Sequence, residues 1–144
     1  MDTSLIENQI VLGRLDKYAA IIGLNPSNGA RSPKLWNAAF IEYGINCSML
    51  SLDVTSDNIL NLLDELNMDV NFIGGAIAVP YKEVVAKWLD TNITPEAKNI
   101  GAVNCLYRNE NGELEGTNTD GEAALRSYES EFGSVSGKTV MILG

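Results

Sequence analysis

The chain has 144 residues, 45% of them hydrophobic and 20% charged, the profile of one globular domain rather than a disordered segment. A formal net charge of −9 argues against a nucleic-acid partner or an anionic membrane surface, although a local lysine can still hold a small anion. There is no histidine, and the two cysteines, Cys47 and Cys105, lack a CxxC or Cys/His spacing; no zinc site is expected, and acid–base chemistry falls to Lys, Asp, Glu, Tyr or Cys.

Both thiols are expected to be reduced and partly buried in a cytoplasmic protein. Met1 to Gln9 has no basic stretch followed by an apolar one, so it does not read as a secretory signal. No apolar run approaches the roughly 18 residues of a membrane helix.

In chain order, Tyr18 to Gly23 is an apolar run ending in glycine and predicts a buried strand. Asn25-Pro26-Ser27-Asn28-Gly29 is a dense turn cluster. Ser32 suits an N-cap and Pro33 the first turn of a helix that carries Leu35, Trp36, Ala39, Phe40 and Tyr43 and stops at Gly44. Cys47 to Val54 predicts a second strand. Ser56 is the expected cap of a helix with the stripe Ile59, Leu60, Leu62, Leu63 and Leu66.

Phe72 to Val79 predicts a third strand, and Pro80 starts a helix whose core face is Val84, Val85 and Trp88. Thr94-Pro95 opens a short helical turn ending near Gly101. Ala102 to Tyr107 and Leu114 to Thr117 predict two strands joined at the Asn111-Gly112 turn. A long amphipathic helix is predicted over Asp120 to Phe132, a turn over Gly133 to Gly137, and a buried strand over Lys138 to Leu143. Strands alternating with helices imply an α/β domain. Its sheet is expected to be twisted and mostly parallel, with helices on both faces and one antiparallel hairpin strand.

Three places could carry chemistry. Lys82 follows the third strand, at the carboxyl end where open α/β sheets collect ligands. It could hydrogen-bond a substrate oxygen, or it could be a solvated helix lysine paired with Glu83 or Glu42. In Asn118-Thr119-Asp120, Thr119 or Asp120 could simply cap a helix. Asp120 could instead stand beside a lysine and help relay a proton, with an amide nearby as orienter. Asn104 lies in an apolar stretch and needs partners, either in a turn or on a ligand.

Taken together, four segments resemble the substrate-binding, catalytic domain of the shikimate dehydrogenase family. Asn25-Pro26 with Arg31-Ser32-Pro33 and Trp36-Asn37 is similar to the family's G-x-P-x-x-H-S-x-S-P-x-x-H-N. Val79-Pro80-Tyr81-Lys82 is similar to N-V-T-x-P-x-K. Gly101-Ala102-Val103-Asn104 matches G-A-V-N-T up to its last residue, and Gly116-Thr117-Asn118-Thr119-Asp120-Gly121 looks like G-x-N-T-D-x-x-G.

The resemblance implies reversible, NADPH-dependent reduction of 3-dehydroshikimate to shikimate, a step of aromatic amino acid biosynthesis, with a small cyclic hydroxy acid as partner. It implies Lys82 and Asp120 as the catalytic pair, Asn104 beside them on a ring hydroxyl, and Ser32 on the substrate carboxylate. Asn118 joins the substrate-binding set. The chain departs from the family pattern at Ala30, Ala76 and Ala78, which stand where the motifs have Ser, Asn and Thr, and at Gly29 and Trp36, which stand for histidines. A missing hydrogen bond to an ionised group is worth about 1.5–3 kcal/mol. Ser27, Asn28 or Arg31 could compensate, Arg31 being well suited to a carboxylate. A paralogue acting on a related ring acid such as quinate, or a non-catalytic binding module, is the alternative.

The resemblance also implies that residues 1–133 form the substrate-binding domain. Residues 134–144 would be a linker and the first strand of an NADP-binding Rossmann domain, with Gly144 opening its phosphate loop. On that reading the chain alone has no cofactor site and no turnover. Its last strand would be disordered, packed opportunistically, or paired with another copy in a homodimer.

Overall fold

The structure, a computed structural model, describes residues 1–11, 17–141 and 143. After a short 3-10 turn at Thr3–Leu5, the described elements are β1 (Lys17–Gly23), α1 (Ser32–Glu42), β2 (Cys47–Asp53), α2 (Ile59–Met68), β3 (Phe72–Ile77), α3 (Lys82–Leu89), α4 (Pro95–Ile100), β4 (Cys105–Arg108), β5 (Leu114–Thr117) and α5 (Asp120–Phe132).

The strands form one sheet in the order β2-β1-β3-β4-β5. β1 pairs in parallel with β2 and β3, while β4 runs antiparallel to both β3 and β5. The expected α/β architecture is therefore present, with β4 as the antiparallel hairpin strand. The outer edge of β5 is covered by the loop at 92–94, through a parallel bridge from Ile93 to Gly116.

Right-handed crossovers decide which face each helix takes. The chain moves from β1 outward to β2, then back across β1 to β3, so α1 and α2 fall on opposite faces. The core divides accordingly. On one face Tyr18, Ala20 and Ile22 pack with Leu62, Leu63, Leu66, Val85 and Leu89. On the other, Ala19 and Ile21 pack with Phe40, Cys47 and Met49. Burying one such aliphatic side chain contributes about 1.5–3 kcal/mol.

β3 is rich in small residues because it must approach its neighbours closely. A Cβ at Gly75 (φ 150°) would stand 1.8 Å from the Ala20 carbonyl oxygen, and one at Gly74 (φ 122°) 2.2 Å from that of Leu106. Any side chain there would force the strands apart.

Several expectations need correction. Ser32 is the first residue of α1, and Arg31 holds the N-cap place in αR conformation without a side-chain cap. Ser56 is not the cap of α2 either; a turn of residues 56–58 intervenes and the helix starts at Ile59. Leu60 is exposed, since it lies about 100° around the helix from Ile59 while the other four residues of the stripe are buried. The strand expected from Ala102 starts only at Cys105. The amides of residues 102–104 instead bond to three separate places: Ala102 N–H donates to the Ala97 carbonyl, Val103 N–H to the Lys82 carbonyl and Asn104 N–H to the Thr117 carbonyl.

α5 forms over the predicted residues, but none of them is buried. The strand predicted over Lys138 to Leu143 is not found: residues 138–141 and 143 take no strand conformation, and Val140, Met141 and Leu143 are exposed. A strand needs a neighbouring edge to satisfy its backbone, and no described strand pairs with this stretch. Gly144 lies outside the described residues.

Candidate active site

Because β1, β2, β3 and β5 point the same way and β4 the opposite way, the segments 24–31, 54–58, 78–81, 101–104 and 118–119 all gather at one end of the sheet. β1 connects toward β2 and β3 toward β4. A crevice between diverging connections opens above β1 and β3, the position where open α/β sheets bind ligands. The two walls are tied together. Leu24 N–H donates to the Val79 carbonyl at 3.3 Å. A Cβ at Gly23 would stand 2.9 Å from the Ala78 methyl and 3.4 Å from Pro26; only glycine lets the loops meet.

The Val79–Pro80 peptide is cis, turning the chain from β3 into α3. Tyr81, the next residue, is buried and its hydroxyl donates to the Val54 carbonyl at 2.7 Å. That anchor places Lys82 on the first residue of α3, over the crevice.

Lys82 and Asp120 meet there. The ammonium donates to Asp120 Oδ2 at 2.5 Å, linking the first residues of α3 and α5. The two side chains are 34% and 58% exposed, so the pair is open to solvent and to a ligand. The hydrogen bond from Lys82 holds the Asp120 carboxyl below its ordinary value; partial burial opposes this and a bond from Asn104 reinforces it. Acidic residues at a helix start are also favoured by the backbone dipole.

Asn104 braces the carboxylate. Its amide donates to Asp120 Oδ1 at 2.7 Å and to Thr119 Oγ1 at 3.1 Å, and its carbonyl accepts the Thr119 amide at 3.0 Å. Asn118 turns inward instead. It is buried, donating to the Ala102 carbonyl at 3.0 Å and accepting the Asp120 amide at 3.0 Å. Its amide group therefore sets the backbone of the Asp120 turn.

The other wall holds the loop 24–31. Ser27 is engaged with Asp53: its amide donates to Oδ1 at 2.8 Å and its hydroxyl to Oδ2. Its hydroxyl is thus committed to the fold. Arg31 is exposed and Ser32 half-exposed at the start of α1, following Ala30. Asp53 is a residue that the strand pattern concealed. It is buried at the end of β2, its own amide donating to Asn8 Oδ1 at 2.8 Å. A carboxylate at a buried place in an alternating strand was the available signal, because buried carboxylates need donors.

A separate apolar hollow lies on α1, lined by Leu35, Trp36, Ala39, Phe40, Tyr43 and Ile45; it shares no residue with the Lys82–Asp120 pair. Among the described residues, no helix is long and apolar enough to cross a membrane.

Comparison with known proteins agrees with this architecture. The family model described as "Shikimate dehydrogenase substrate binding domain" matches residues 21–106, more than half of the chain. The NADP(+) shikimate dehydrogenase of Methanococcus vannielii is 35% identical over 132 residues, which are 90% of this chain and 45% of that protein. The chain thus spans about half the length of the curated relatives it matches. A solved shikimate dehydrogenase from Thermus thermophilus, in complex with NADP(H) and shikimate, superposes with a TM-score of 0.69 at 29% identity, covering 80% of this chain and 42% of that one. The ligand-free 5-ketofructose reductase of Gluconobacter sp. strain CHM43 has a TM-score of 0.67 at 26% identity, covering 82% and 41%. With the sheet order, the crevice and these matches in hand, the chain belongs to the shikimate dehydrogenase family, as its substrate-binding domain.

Proposed function

We propose that this chain binds the polyhydroxy ring substrate, and handles the transferred proton, for an NADP-dependent shikimate-dehydrogenase-type oxidoreductase. The reaction proposed for the whole protein is interconversion of 3-dehydroshikimate and shikimate. The single observation that carries the reading is the Lys82–Asp120 contact at the strand ends, braced by Asn104.

An ammonium in that place can hydrogen-bond a substrate carbonyl oxygen and deliver a proton to it as the carbon becomes a carbinol. In the reverse direction the lysine takes the hydroxyl proton. Asp120 keeps the ammonium oriented and offers its carboxylate to a neighbouring hydroxyl. Asn104 holds Asp120 against rotation. Arg31 and Ser32, at the start of α1, are the proposed groups for the ring acid's carboxylate. NADP is proposed as cofactor of the whole protein because its relatives are NADP(+) enzymes. Among the described residues no strand leads into a glycine-rich loop and helix that would cradle a pyrophosphate, and Lys82 and Asp120 act on the substrate side alone. The free thiols Cys47 and Cys105 support a cytoplasmic setting.

The test is an NMR titration of the ¹⁵N-labelled chain with shikimate. Shifts are expected at Asn104, Thr119 and Gly121, with millimolar affinity, and Lys82→Ala should weaken binding at least tenfold while leaving the thermal midpoint in place. Undiminished binding by Lys82→Ala would remove the lysine from the site.

A further inference from the structure

The elements that carry Lys82 and Asp120 meet beneath the crevice, where α3 packs on β5. They touch at Gly116. A Cβ there would stand 2.5 Å from Leu89 Cδ1 and 2.8 Å from Val103 Cγ2. Leu89 lies about two turns along α3 from Lys82. Gly116 lies on β5, which runs through Thr117 into the Asp120 turn.

β5 cannot retreat from an added side chain. On one edge Gly116 pairs with Leu106 of β4. On the other its amide donates to the Asn92 carbonyl and its carbonyl accepts the Thr94 amide, both at 2.9 Å. The neighbours must give instead, and they differ. Leu89 offers the end of a flexible side chain, which can rotate. Val103 is β-branched, stiff at χ1 and fully buried.

Val103 is also tied to both halves of the pair. Its N–H donates to the Lys82 carbonyl at 2.9 Å. The Ala102 carbonyl, just before it, accepts the Asn118 side-chain amide; Asn104, just after it, braces the Asp120 carboxylate. A push on Val103 therefore reaches both the lysine and the carboxylate.

We infer that Gly116 and Val103 are positioning residues for the Lys82–Asp120 pair: the missing side chain at 116 seats Val103 against β5 and α3, and Val103 fixes where the ammonium meets the carboxylate. The inference deepens the function proposed above and rests on its reading of that pair.

The test is the Gly116→Ala chain, read by the NMR midpoint of the Asp120 carboxyl without ligand and by shikimate titration. The midpoint should rise toward that of Lys82→Met, and shikimate should bind about tenfold more weakly, as a misplaced charged hydrogen bond costs. A merely structural glycine would lower Tm and leave the midpoint where it is. Val103→Ala/Gly116→Ala removes two methyl groups beside the added one and should return the midpoint to its low value. Leu89→Ala/Gly116→Ala makes room only at the flexible neighbour and should not. If Gly116→Ala does not fold, the two double variants carry the same comparison. An unmoved midpoint in folded Gly116→Ala overturns the inference. So does equal rescue through Leu89, or a Val103→Ala/Gly116→Ala chain that fails to recover the low midpoint, folded or not. If the unmodified chain binds no shikimate, the proposed function fails and takes this inference with it. If shikimate binds while the midpoint stays unmoved, only the positioning role is lost.

Discussion

Replacing Asn118 by alanine should loosen the fold and the site together. The side chain is 8% exposed, and its two bonds, to the Ala102 carbonyl and from the Asp120 amide, are each 3.0 Å long. Truncation removes both. A neutral hydrogen bond contributes about 1 kcal/mol net, and a buried partner left unpaired costs about 1–3 kcal/mol. Ala102 is half-buried, whereas Asp120 is exposed, so water recovers the second partner more readily than the first. The expected loss is therefore about 2–3 kcal/mol, near the middle of that range. For a domain of this size each kcal/mol lowers Tm by roughly 2–4 °C, so calorimetry should show a fall of about 5–10 °C. Asp120 loses its backbone anchor in the same step, and shikimate binding should weaken in parallel. A variant that keeps its Tm but loses the ligand would refute this reasoning, because Asn118 would then be a ligand contact and not a brace.

Three further expectations concern charge. Arg108 donates from Nε to the Phe72 carbonyl, from Nη1 to Gly112, and from Nη2 to Leu66, Asn67 and Asp69, joining the end of α2 to the β4–β5 hairpin. Arg108→Met keeps the aliphatic stem and removes these bonds; urea denaturation should report a loss of about 3 kcal/mol, and a change under about 1 kcal/mol would deny the clamp. Asp120 has a depressed pKa, so its pairing energy is fully present above the ordinary carboxylate value of about 3.9 and is lost as pH falls through the lower folded value. Titration of Asp120 should therefore leave ligand binding unchanged above about pH 5. In Lys82→Met the NMR midpoint of the Asp120 carboxyl should rise; an unmoved midpoint would mean that the lysine is not what lowers it.

Local pattern alone carried most of the elements. The alternation and apolar runs of β1 and β2, the Asn111-Gly112 turn and the capped Thr94-Pro95 helix are short-range signals, readable wherever they occur. The motifs around Lys82, Asn104 and Asp120 also named the three residues that meet at the crevice. Their meeting is a tertiary fact. It depends on the crossover that returns the chain past β1 and on the antiparallel β4, which together bring residues 38 apart in sequence within one hydrogen bond.

The division of labour among the polar residues was hidden for the same reason. Asn118 and Asn104 are both amides that bond to Asp120, yet one is buried and takes its backbone amide while the other reaches its carboxylate. Ser27 reads as a donor for a ligand until Asp53, from another strand, takes its hydroxyl. The apolar run at 138–143 has strand propensity, but a strand exists only where a neighbouring edge accepts its hydrogen bonds. Composition and periodicity record what each residue prefers by itself; which partner answers that preference is decided by chain topology, and that is a property of the folded molecule.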